Sequence, residues 1–121
     1  MTPDLSATDE RAQAVAQIRE DALAYNRAVG SYNRHLKNHR DRRGLHDLEY
    51  RRPLTDAGVM GGDPGAIDDA IDDLIAESYH DSALRRHPRQ YPIHLEALEH
   101  LCVARHALLT TLEDVREIDA R

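Results

Sequence analysis

The chain has 121 residues, of which 31% are charged, with a formal net charge of -6, one cysteine, five tyrosines and neither Phe nor Trp. That length closes one modest core and excludes two, so 1-121 is expected to be a single domain. The lone Cys102 excludes an intrachain disulfide framework, and no apolar run is long enough to cross a bilayer. The opening Met-Thr-Pro-Asp-Leu has neither the basic start nor the apolar run of a secretory signal, which points to a cytoplasmic protein.

A core without Phe or Trp leans on Leu, Ile and Ala interdigitating between closely approaching helices. The expected fold class is all-α: a small bundle on two long helices, about 8-42 and 92-119, plus a shorter acidic amphipathic helix, about 63-80. Residues 1-6 are expected to be flexible. Ser6 or Thr8 can cap the first helix, with Asp9 and Glu10 in its first turn. Val15, Ile18, Ala22, Tyr25, Val29, Tyr32, Leu36 and His39 then alternate at steps of three and four, a heptad seam held for almost four repeats. Such a helix is about 50 Å long, so it either protrudes or is matched by another long helix.

A helical turn is expected near Leu45 to Tyr50, followed by a glycine-containing loop over 52-62. Asp63-Pro64 is a cap followed by a first-turn proline. After it, Ile67, Ile71, Leu74, Ile75 and Tyr79 mark an apolar face, and Asp68, Asp69, Asp72, Asp73 and Glu77 an acidic one. Pro88 ends that helix and Pro92 opens the last, whose apolar face runs from Leu95, Leu98, Leu101 and Cys102 through Leu108, Leu109 and Leu112 to Val115 and Ile118.

The charge is unevenly placed. Arg27 to Arg52 carries eight Lys/Arg against three acids, whereas Pro53 to Leu84 carries eight acids and no Lys or Arg. Arg34, Lys37, Arg40, Arg42, Arg43, Arg51 and Arg52 are the candidate residues for contact with a partner or with nucleic acid. The plainer reading pairs this basic block with the acidic helix, within one chain or across a dimer. A bZIP origin is excluded by order, since there the basic region precedes the zipper.

Two i,i+4 pairs, His35 with His39 and Cys102 with His106, sit on the two long helices. Facing each other, they would form a tetrahedral zinc shell of three imidazoles and a thiolate. A buried His or Cys on an apolar seam needs no metal, so no cofactor is expected and zinc stands as an outside alternative. Glu96, Glu99 and His100 lack the second copy and the Glu-x-x-His spacing of a di-iron bundle. Arg40 followed by His46, and equally Arg34 followed by His39, resembles the short Arg-x(4–6)-His pattern of the helical HEPN ribonucleases. That resemblance implies RNA cleavage and extends to no other residue.

No catalytic constellation stands beside these. The expected function is therefore a non-enzymatic helical interaction or assembly module. It would self-associate, as a homodimer, through Val15, Ile18, Tyr25, Val29, Tyr32 and Leu36, and dock an unidentified protein through its charged helical surfaces. A nucleic-acid-binding regulator using Arg34 to Arg52 is the alternative, and a zinc-dependent or HEPN-like enzyme the second.

Overall fold

The computed structural model describes residues 3-39, 48-86 and 95-121. Among these residues four helices follow in order: α1 (Pro3–Asn38), α2 (Ala57–Met60), α3 (Pro64–Arg86) and α4 (Leu95–Asp119). The expected all-α bundle on two long helices is the architecture observed.

Helix α1 begins at Pro3, whose missing N–H costs nothing in a first turn. Its expected continuation past His39, and the turn expected near Leu45, lie at least in part outside the described residues, as do Pro88 and Pro92. Inside the expected loop the chain forms one helical turn, α2. Asp56 caps it by accepting from the N–H groups of Gly58 and Val59 at 2.7 and 3.2 Å. Gly62 then adopts φ +81°, and a Cβ there would lie 2.8 Å from Val15 Cγ2, so only glycine lets this corner close on α1. The Asp63 carboxylate accepts from the Ala66 N–H at 3.0 Å and caps α3, which runs on past the expected residue 80 to Arg86.

Helices α1 and α4 pack antiparallel along their length. Arg11 donates to Asp119 at 2.6 Å, Thr111 bonds Asp21, and Arg121 reaches Glu10 at 2.9 Å. The heptad seam is filled within this one chain: Ile18, Ala22, Tyr25, Val29, Tyr32 and Leu36 are all buried, Val15 is half-buried, and Leu98, Leu101, Leu108, Leu112 and Val115 of α4 are buried in the same core cluster. Helix α3 packs on α4 and closes the core with Ile67, Ile71, Leu74 and Leu84.

The facing of α3 differs from the sequence expectation at two places. Tyr79, expected on the apolar face, is 74% exposed. Glu77, expected on the outer acidic face, turns inward with Asp81, because two arginines from other parts of the chain meet it there.

Candidate interaction surface

Backbone to backbone, α1 and α3 stand apart. The segment 48-56, here called the strap, fills the gap. It has no secondary structure before α2, and its backbone hydrogen bonds go to two asparagines of α1. Asn33 donates from Nδ2 to the Arg51 carbonyl at 2.9 Å and accepts the Arg51 N–H on Oδ1 at 2.8 Å. Asn26 repeats the pattern on Leu54, at 2.9 and 2.7 Å. Seven residues of helix advance about 10.5 Å, and three residues of polyproline II chain about 9 Å. The two asparagines therefore reach strap residues three apart. The buried and half-buried side chains of the strap, Leu48, Arg51 and Leu54, keep that three-residue period, while Tyr50, Arg52, Pro53 and Thr55 are exposed.

The clamp delivers the Arg51 guanidinium to α3. Nη1 donates to Glu77 Oε1 at 2.9 Å and to Asp81 Oδ2 at 3.3 Å, and Nη2 donates to Asp81 Oδ1. From α4, Arg105 closes the other side: Nη1 donates to Glu77 Oε2 and Asp81 Oδ2, Nε to Ser78 Oγ at 3.0 Å, and Nη2 to Cys102 Sγ at 3.3 Å. Tyr25 OH donates to Glu77 Oε2 at 2.8 Å. Two guanidiniums and two carboxylates cancel, with side chains only 1% exposed at Asp81 and 4% at Arg105. A buried charge without such compensation would cost several kcal/mol.

Burial holds three neighbours of this network in their uncharged forms. Burial, then the negative charge and hydrogen bond of Glu77, pushes the Tyr25 phenol far above its ordinary value. Burial raises Tyr32 as well, against the opposing pull of the Arg51 charge, and burial raises the Cys102 thiol. The Arg51 guanidinium lies over the Tyr32 ring, 4.9 Å from its centroid.

The strap also divides the surface above it by charge. On its α1 side, Arg34 and Lys37 line a shallow depression of about 430 Å³ with Asn33 and Tyr50. On its α3 side, Asp69 and Asp73 line a second, of about 420 Å³, with Leu54, Asp56 and Asp63. Arg34 and Lys37 are exposed on one flank and Asp69 and Asp73 on the other.

The candidate residues thus fall into separate groups. Arg34, Lys37 and Arg52 are exposed, Arg51 belongs to the buried network, and Arg40, Arg42, Arg43 and His46 lie outside the described residues. Pairing of the basic block with the acidic helix is realised at Arg51, within the chain. The seam residues Val15, Ile18, Tyr25, Val29, Tyr32 and Leu36 are engaged in intrachain packing and do not form a free surface. His35 and His39 stack with ring centroids 4.6 Å apart. The antiparallel register offsets them from Cys102 and His106 by about 10 Å or more along the axis. Among the described residues no three His, Cys, Asp or Glu side chains gather as a metal-binding group, and no helix is long and apolar enough to cross a membrane.

Sequence reasoning missed Asn26, Asn33, Asp81 and Arg105. A signal was present for each. Both asparagines sit one heptad apart beside the apolar seam, and Asp81 and Arg105 occupy seam positions where an apolar residue would continue the pattern. Comparison of the chain with protein-family models, curated proteins and solved structures returned no match.

Proposed function

We propose that the chain is a non-enzymatic helical interaction module that associates with a second copy of itself across the strap face. The observation that carries this is the polarity of that face, with Arg34 and Lys37 along one edge of the strap and Asp69 and Asp73 along the other. A face that is positive on one side and negative on the other is self-complementary under a twofold axis parallel to the strap. That rotation lays each positive flank over the partner's negative flank and brings the two straps together. Exposed Tyr50 and Pro53 would supply apolar contact at the centre.

The shifted tyrosines and cysteine do not favour a base or nucleophile role. A general base or nucleophile needs a shifted pKa that favours its reactive form near neutrality. Here Tyr25, Tyr32 and Cys102 are all pushed toward their protonated forms.

Exposed ion pairs are individually weak and salt-screened, so the association should be salt-sensitive. Sedimentation velocity at low salt should give a dimer that dissociates at high salt. Arg34→Glu with Lys37→Glu should give a monomer, as should Asp69→Lys with Asp73→Lys. Combining all four should restore the dimer by exchanging the two flanks. A monomer at every salt concentration, or a dimer indifferent to both pairs of reversals, overturns the proposal.

One observation favours a second reading. Tyr50 lies beside Arg34 and Lys37, the aromatic-plus-cation pattern of single-strand nucleic-acid binders. Asp69 and Asp73 across the strap work against phosphate binding. Anisotropy of labelled single-stranded nucleic acid, falling steeply with salt and lost with Arg34→Glu, would support this reading in place of the first.

A further inference from the structure

Four backbone hydrogen bonds seat the strap on α1, and side chains of the helix make all of them. Asn33 brackets Arg51 and Asn26 brackets Leu54, each through both ends of its carboxamide. A carboxamide used this way holds an extended chain whatever side chains that chain carries. The strap's side chains are then received at a period of three. Leu48 and Leu54 pack on the core, and Arg51 between them enters the polar centre. Backbone bonds for affinity with spaced seats for specificity is the layout of a groove that binds an extended peptide. The strap lies between α1 and α3 as such a peptide would.

The polar centre selects what the middle seat accepts. Glu77 and Asp81 receive hydrogen bonds from Tyr25, Arg51 and Arg105, and from no other described residue. The helices alone therefore bring two carboxylates and one guanidinium, and the strap brings the second guanidinium. A buried carboxylate left without its partner is costly, so the groove requires a cation at that place. Contact with both Glu77 and Asp81 through one planar fork favours arginine over lysine.

Against α3 the strap is seated with space on both sides of Arg51. A cleft of about 410 Å³ reaches Leu48, Glu77 and His80 on one side, and another of about 340 Å³ reaches Leu54, Leu74 and Glu77 on the other. The contacts that join α1 to α4, from Arg11 to Asp119 and from Thr111 to Asp21, do not involve the strap. A segment with few contacts of its own, outside the main helix pair, belongs to the low-stability end of a fold.

We propose that the groove between α1 and α3 is a peptide-binding groove filled by its own strap. Its partner is an extended segment of another protein, in which an arginine stands three residues from a leucine-like side chain on either side. Partner binding displaces the strap. This does not depend on self-association across the strap face.

A capped peptide with the sequence of residues 48–54, titrated into the ¹⁵N-labelled full chain, tests the proposal by nuclear magnetic resonance. A tethered segment competes at its effective concentration, so half-displacement should need peptide at about the millimolar level. The Arg51 and Leu54 amides should move to the positions of unstructured chain. The side-chain amides of Asn26 and Asn33 should stay bonded, and α4 amides near Leu108 should not move. The same peptide carrying Arg51→Ala should fail to displace the strap, and one carrying Arg51→Lys should be weaker. In the full chain, Leu54→Ala loosens the strap and leaves the groove intact, so displacement should need about tenfold less peptide, the factor for 1.4 kcal/mol. The wild-type titration decides by itself should that variant not fold. No displacement of the wild-type strap at about ten times the millimolar level, or equal displacement by the Arg51→Ala peptide, overturns the proposal and makes the strap a fixed part of the core.

Discussion

Arg51, on a segment without secondary structure, and Asp81, toward the C-terminal end of α3, meet through two hydrogen bonds in a setting that leaves the Asp81 side chain 1% exposed. Thirty residues of sequence separate them, and neither has an alternative place in water once the strap is seated. The pair holds the strap down on one side and orients α3 on the other. Arg105 completes the contact from α4, so three separate parts of the chain share one polar centre.

Removing one partner should therefore be costly. Arg51→Met leaves Asp81 and Glu77 facing Arg105 alone and is expected to lower stability by about 3–5 kcal/mol, the usual range for breaking a buried pair. Adding Asp81→Leu to that variant should recover a large share, because both uncompensated charges then leave the interior together. Urea denaturation of the two single variants and the double variant measures this. A double variant as unstable as the sum of the singles would show that the two residues are not energetically coupled.

The asparagine clamps should act locally. Asn33→Ala strips both hydrogen bonds from Arg51, and Asn26→Ala both from Leu54, each at about 1–2 kcal/mol for the pair of bonds. Hydrogen exchange at the Arg51 and Leu54 amides should accelerate in the matching variant, with α4 amides near Leu108 unaffected at equal denaturant distance. Asn33→Asp keeps the acceptor for the Arg51 N–H and loses the donor to its carbonyl, so it should fall between wild type and Asn33→Ala. Uniform acceleration across the chain would mean that the strap opens only with the whole fold.

Alkaline pH supplies a third test. The Tyr25 phenol has a folded-state pKa raised above its unfolded value of about 10, by burial first and by Glu77 second. The folded state thus holds a proton that the unfolded chain gives up. Its stabilising contribution is complete below about pH 10 and is lost as pH rises toward the folded value. Tyr32 shifts in the same direction through burial. Of the five tyrosines, these two should ionise only as the protein unfolds. Tyrosinate absorbance followed alongside helical circular dichroism through an alkaline titration checks this. Ionisation of all five before any loss of helix would contradict it.

Local information in the sequence determined the helices. The heptad steps from Val15 to Leu36, the Asp63-Pro64 start and the leucine face of α4 depend on periodicity and capping, which act within a few residues, and each appears where it was expected. The same periodicity shows that a seam is apolar but not what covers it. Tyr25 and Tyr32 suited a second chain as well as this one, and only the tertiary packing decided that they are buried within it, where Tyr25 meets Glu77 and Tyr32 lies under Arg51. The polar centre was beyond reach for a different reason. Whether Glu77 faces water or the interior depends on whether Arg51 and Arg105, 26 and 28 residues away, arrive at the same point. A charged residue on a helix reads as solvent-facing until its partner is known, because the cost of burying it is cancelled only by a group that tertiary structure delivers.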